Sequence, residues 1–261
     1  MDISHSKACC ARPPITFRGG YNYNPTGKYV EYDGLKTYET GSPTSKRGIF
    51  MIYDVFGIFV QTVRGADILA SGYHETPDKG GEYKVFMPDW FGENAADVSH
   101  YPPKTPQEIA QTNAFMNGPA APSGTVPRIA PLMEEIKKAH PHISEWAIVG
   151  FCWGGKIAAL VSQEGSLFKA AGQCHPSLLE RADASQVTIP MVVLPSLDEV
   201  PEEVDPWIQD LKMVSTSSFS ETFSTSVHGW MTSRADFEDL HKFEEYLRGY
   251  RIVREFFAQF L

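Results

Sequence analysis

Apolar positions along this chain follow two alternating patterns. GIFMIYDVFGI (48–58) opens as a continuous apolar run, as expected of a strand buried on both faces of a parallel sheet, and breaks at Asp54-Val55-Phe56-Gly57. VQTVRGADILASGY (60–73) then sets Val60, Val63, Ile68 and Leu69 near one face of a helix. YKVFMPDWF is the next strand, punctuated by Pro88-Asp89. Residues 129–139 read as a helix, EWAIVGF as a buried strand and GGKIAALVSQEG as a helix. FKAAGQCHP and IPMVVLPSLDE follow as strands, residues 205–214 as a helix, and SFSETFSTSVHGW as a last strand and loop. An amphipathic helix in FEDLHKFEEYLRGYRIVREFFAQFL closes the chain. Strands alternating with helices predict the α/β class, with a mostly parallel central sheet covered by helices on both faces.

Two stretches fall outside this alternation. Residues 1–27 are polar and rich in Gly and Pro, and read as an arm packed on the domain. KYVEYDG and LKTYETG come next as two short strands, with Asp33-Gly34 as the hairpin turn. Residues 92–128 are polar and Pro-rich, with one helix over 105–117, and suit a lid or rim over a pocket. No linker divides the rest, so residues 28–261 form a single domain.

Composition narrows the class. The 261 residues are 42% hydrophobic, enough for one large core. The net charge of −9 argues against nucleic acid and anionic membranes as partners. No run of 18 apolar residues and no signal-peptide core is present, so a soluble, cytoplasmic protein is expected. The four cysteines, Cys9, Cys10, Cys152 and Cys174, form no disulfide framework and no C-x-x-C pair. No cofactor and no metal site is expected, although the adjacent Cys9-Cys10 pair is open to metal ligation or to no role at all.

The chemistry concentrates at GFCWGG (150–155). Gly150-Phe151-Cys152-Trp153-Gly154 has the spacing G-x-nucleophile-x-G, with a strand before it and a helix after it. Such a turn lifts the sulfur to a helix N-terminus, where backbone N–H groups favour a thiolate. The N–H of Trp153 is then placed to stabilise an oxyanion. A buried structural cysteine is the plain alternative for a single Cys, and the strand–turn–helix context weighs against it. The chain order nucleophile, acid, histidine selects Asp198, after the strand MVVLPSL, and His228, in the loop SVHGW that follows the last strand. His175 is the other candidate base, more simply a pocket wall. Glu199, Glu202, Glu203 and Asp205 compete with Asp198, which is nearest the strand end.

These residues resemble the dienelactone hydrolase family of the α/β-hydrolase fold. YDVFGI (53–58), ADILASGY (66–73), MPDWFG (87–92) and His228-Gly229-Trp230 fit the family, and Cys9-Cys10 with Gly34–Gly41 looks like its fungal branch. The resemblance implies a Cys152-Asp198-His228 triad, hydrolysis of a lactone or activated ester through a thioester, and Val55 N–H as a second oxyanion donor. It also implies a carboxylate that gates the thiol. That position is Asp54 here, where relatives carry the longer glutamate. Arg234, and less well Arg64, is the candidate for a substrate carboxylate. Phe56, Trp90, Phe91, Trp153, His175 and Trp230 lie in loops expected to line the pocket.

Two other readings stay open. The scaffold also suits a non-hydrolytic step, such as lactonisation, isomerisation or dehydration of a natural-product intermediate. It also suits a binder of small molecules with no chemistry. The last helix carries Phe256, Phe257, Phe260 and Leu261, enough apolar surface for a homodimer, though such faces more often pack on their own sheet.

Overall fold

The computed structural model describes residues 7–17, 22–73 and 79–261. Part of the expected arm, including His5, lies outside the described residues. Eight strands form one sheet: β1 (Lys28–Tyr32), β2 (Leu35–Gly41), β3 (Arg47–Ile52), β4 (Lys84–Pro88), β5 (Glu145–Phe151), β6 (Ala170–Cys174), β7 (Met191–Leu194) and β8 (Phe219–Ser220). Their order is β1-β2-β4-β3-β5-β6-β7-β8. β2 runs antiparallel to β1 and β4, and every other pairing is parallel. This is the α/β fold expected from the alternating pattern.

Local chemistry explains the elements. Asp33 and Gly34 both take positive φ, 47° and 70°, so the two-residue turn matches the twist of its strands and pairs Tyr32 with Leu35. β3 and β5 pair from Arg47–Glu145 to Ile52–Gly150, and their side chains are buried on both faces, as their unbroken apolar runs require. Between strands lie α2 (Val60–Ser71), α5 (Trp153–Leu160), the short α6 (Arg181–Ala184) and α7 (Pro201–Val214), and α8 (Leu240–Phe257) follows the last strand. The apolar face of α8 turns inward: Tyr246, Tyr250, Val253 and Phe257 are fully buried. Its tyrosines donate to backbone carbonyls of Gln61 and Met231.

Three boundaries differ from expectation. The helix expected over 129–139 is α4 (Pro122–Ala139), which runs through Pro127 and Pro131. Burial of Ile129, Leu132, Met133 and Ile136 outweighs the backbone hydrogen bonds those prolines cannot make. α7 begins at Pro201, not 205, because Pro at N1 and acidic Glu202 and Glu203 in the first turn suit a helix start. The last strand shrinks to two residues, since the Ser/Thr-rich run after it offers no apolar face. Within 92–128 the expected helix is α3 (Pro106–Asn117), closed at its start by a Thr105–Glu108 capping box. Among the described residues no helix is long and apolar enough to cross a membrane.

The arm is fastened to the domain. It contains a single helical turn, α1 (Lys7–Cys10). Ile15 N–H donates to Ser233 O at 2.9 Å, Gln61 Nε2 donates to Ile15 O at 2.8 Å, and Phe17 stacks on Phe237.

Candidate active site

The site grows from the end of β5. Cys152 takes φ 55° and ψ −114°, a conformation costly for any residue but glycine, and it caps the N-terminus of α5. The turn is possible only because its flanks lack side chains. A Cβ on Gly150 would fall 1.9 Å from Gly154 O, and one on Gly154 would fall 2.3 Å from Ile52 O. Cys152 N–H donates to Cys174 O at 3.1 Å, which ties the turn to β6.

His228, from the loop after β8, approaches this sulfur. Its Nδ1 lies 2.5 Å from Glu199 Oε1. Glu199 is itself held by Ser196, whose N–H and hydroxyl both donate to its carboxylate. This corrects the expected partnership of Asp198 with the imidazole. Asp198 Oδ2 instead accepts the backbone N–H of His228 at 2.8 Å, and Oδ1 accepts Arg12 Nη2 at 3.0 Å. After β7 the chain turns through Ser196, so consecutive carboxylates point to different sides, and the second reaches the ring. Nε2 of His228 is buried, makes no hydrogen bond of ordinary geometry, and interacts with the Cys152 sulfur.

Charge follows from this arrangement. Burial opposes ionisation of Cys152, but the adjacent Cys9 thiol and the charge of His228 together hold its pKa well below an ordinary thiol's. Burial likewise opposes a charge on His228, and the charges of Cys152 and Glu199 overcome it, raising its pKa to about 10. The pair is therefore a thiolate beside an imidazolium. His175, whose ring stands edge-on to His228 with centroids 5.0 Å apart, is kept neutral by burial and by the charge of His228.

Asp54 makes no hydrogen bond to the thiol, though it lies close enough that, after burial, the charge of Cys152 raises its pKa. Its Oδ2 accepts the hydroxyls of Thr232 and Ser233 at 2.5 and 2.6 Å, and its Oδ1 accepts Phe56 N–H at 2.9 Å. One methylene shorter than glutamate, it is spent on the loop that follows His228. The group touching the thiol is Cys9 of the arm, with sulfurs 3.2 Å apart. Contact with Cys10 and with Cys152, and then burial, raise the pKa of Cys9, so its proton is held more firmly than an ordinary thiol's while that of Cys152 is held less. Ser177 Oγ lies 3.6 Å from Cys152 Sγ on another side. The backbone N–H groups of Val55 and Trp153 find no acceptor among the described residues.

The other expected residues divide. Phe56 stands edge-on to Tyr101 at 4.8 Å under the guanidinium of Arg234. Tyr101 is close enough to Cys9, Cys10 and Cys152 that, after burial, their charges raise its pKa further. Phe91 packs on the Trp153 ring at 4.6 Å. Arg234 is already occupied: it donates to the carbonyls of Cys9, Arg12 and His228, which makes it the clasp of the arm. Trp230 stacks on Phe223 at 4.1 Å and abuts Gly249 of α8, so it serves core packing. Trp90 stands edge-on to Phe50 with Arg128 over its face. Arg64, the weaker candidate, is half-buried with its guanidinium over Phe237 and Phe243. Ser177 and Tyr101 carry no signal in the sequence, whereas Glu199 is visible there as a competitor of Asp198 and Cys9 as half of the Cys9-Cys10 pair.

Comparisons with known proteins bear on the family and the fold. A model of the dienelactone hydrolase family matches residues 35–260. An uncharacterized AIM2 family protein of Schizosaccharomyces pombe is 32% identical, covering 97% of this chain and 99% of its own. A carboxymethylenebutenolidase homolog of Homo sapiens is 24% identical over 80% of this chain and 81% of its own. Among solved structures, a dienelactone hydrolase of Anabaena variabilis superposes with a TM-score of 0.59 at 11% identity, covering 90% of this chain and 97% of the other.

Proposed function

The chain belongs to the dienelactone hydrolase family, and on that premise we propose that it is a cysteine hydrolase of lactones or activated esters working through Cys152, His228 and Glu199. The observation that carries this reading is Cys152 at its strained turn, paired with a histidine whose other nitrogen rests on a buried carboxylate. Cys152 attacks the carbonyl as a thiolate, and the oxyanion forms against the N–H groups of Val55 and Trp153. Each such donor contributes on the order of 10²–10³ in rate. The C–O bond to the leaving group breaks, and His228 supplies a proton where the leaving oxygen needs one. A thioester on Cys152 remains. His228, now neutral, takes a proton from water, the hydroxide adds to the thioester, and the acid leaves with the thiolate restored. Glu199 holds the imidazole in orientation throughout. An enolate or phenolate departs readily, which suits a thiolate nucleophile and disfavours amides.

The test is turnover of p-nitrophenyl acetate in heavy-oxygen water. The expected result is an acetyl group on the Cys152 peptide and one heavy oxygen in the released acetate. Turnover without either removes the reading. A second reading, capture of the acyl group by a substrate hydroxyl, is favoured by the 1% exposure of Cys152. Its signature is a product free of heavy oxygen.

A further inference from the structure

Beside the hydrolytic machinery, the arm brings a second sulfur to a place where hydrolysis does not need one. Cys9 Sγ, Cys152 Sγ and a ring nitrogen of His228 all lie within 4.8 Å of one another, and all three residues are buried. His228 Nε2 is buried and makes no hydrogen bond of ordinary geometry, so among the described residues it is engaged by nothing but the neighbouring sulfur. From this geometry we propose that Cys9, Cys152 and His228 form a binding site for a thiophilic metal ion of the Zn²⁺ class, and that its occupancy shuts the site. The regulatory half rests on the hydrolase reading above. The binding half does not.

The donor set fits the ion. On binding, Cys9 gives up its thiol proton and His228 its Nε2 proton to solvent, leaving two thiolates and a neutral imidazole, ligands of the kind tetrahedral Zn²⁺ takes, with a fourth position for a small donor. Two thiolate charges balance the dication, so no net charge is buried by the metal and its sulfurs. The second nitrogen of His228 already rests on Glu199, the carboxylate–histidine arrangement that fixes the tautomer and orientation of a metal-ligating imidazole. Cys9 is held from behind, since Arg234 Nη2 donates to its carbonyl at 2.5 Å. Zn–S bonds of about 2.3 Å at a tetrahedral angle put two sulfurs about 3.8 Å apart. The present separation of 3.2 Å therefore has to open only slightly, and one of the two sulfurs sits on a single helical turn of the arm. The bound ion takes the lone pairs of the nucleophile and of the base together. It also pins the arm across them, so the enzyme is inactive while the ion is held and recovers when it leaves.

Cobalt(II) is the probe, titrated into the full chain after stripping with a chelator and reduction with a non-chelating phosphine. The expected result is one equivalent bound, with thiolate-to-cobalt charge transfer and the strong visible bands of a tetrahedral ion, displaced by Zn²⁺. Cys9→Ser should weaken cobalt binding by about tenfold or more and lower the charge-transfer intensity, with its melting transition showing that it is folded. Cys174→Ser should keep both. No charge-transfer band, or equal binding by folded Cys9→Ser, overturns the site. In parallel, one equivalent of Zn²⁺ should slow ester turnover about tenfold or more, reversibly with chelator. The slowing should be much smaller in Cys9→Ser relative to its own zinc-free rate. Thiolate-bound cobalt in a chain that turns over no ester without metal leaves the site standing and removes the hydrolase reading. Zinc inhibition equal in both chains overturns the regulatory half.

Discussion

Glu199 Oε1 and His228 Nδ1 meet at 2.5 Å inside the protein, while Asp198, one position earlier, reaches only the backbone N–H of the same histidine. Two adjacent carboxylates thus serve one residue by different routes. Glu199→Gln should lower kcat/KM by about 10³–10⁴-fold, because the amide can hold the wrong tautomer of the ring. Asp198→Asn should cost less than about tenfold, since it loses an ion pair with Arg12 and keeps an acceptor for the backbone. Steady-state kinetics on one ester decides. The reverse ranking would return the role to Asp198.

The thiolate–imidazolium pair predicts an unusual pH profile for alkylation. A thiol pKa held below the ordinary value keeps Cys152 ionised as pH falls from about 9 toward neutrality, and its reactivity drops only below its own lowered pKa. On the alkaline side the pair dissolves as His228 deprotonates near about 10. Iodoacetamide labelling of the Cys152 peptide, followed by mass spectrometry, should therefore stay nearly level across that window. A tenfold rise per pH unit, as for a free thiol, contradicts the pair. Cys174, pushed up by burial alone, should stay unlabelled while the chain is folded.

Backbone strain at the turn gives a stability test independent of chemistry. Glycine relieves a positive φ that alanine cannot, so Cys152→Gly should unfold at a temperature equal to or above that of Cys152→Ala, against the usual ranking. Gly150→Ala should cost about 3 kcal/mol or more, because its Cβ meets backbone atoms that cannot give way. Denaturant melts of the three variants measure both effects.

Arg234 distinguishes a clasp from a substrate clamp. As the clasp, its replacement by Met leaves arm carbonyls without their donor and should cost about 2–4 kcal/mol. It should also open the chain to proteolysis before residue 17. As a clamp for a substrate carboxylate, the same change would raise KM and leave the melting transition in place. Limited proteolysis and kinetics on one preparation separate the two.

The pattern of apolar residues carried the sheet, the turn at Cys152 and the histidine, because each rests on local spacing or on chain order. The acid was out of reach for a physical reason. Asp198 and Glu199 are neighbours of the same charge, and only the path of the turn through Ser196 decides which one faces the ring. Asp54 shows the complementary limit. Its position after β3 is legible, but the hydroxyls of Thr232 and Ser233 that claim it lie 178 and 179 residues away. Arg234 and Trp230 looked like pocket residues because they follow His228, yet both face structure: one the arm, the other α8.

Cys9 and the guanidinium that holds it stand 225 positions apart, near opposite ends of the chain. In synthesis the arm emerges well before its anchor, the loop bearing Ser233 and Arg234. A segment made early is thus placed late. The surroundings of the nucleophile are completed not when its own strand and helix form, but when the finished domain recovers its beginning.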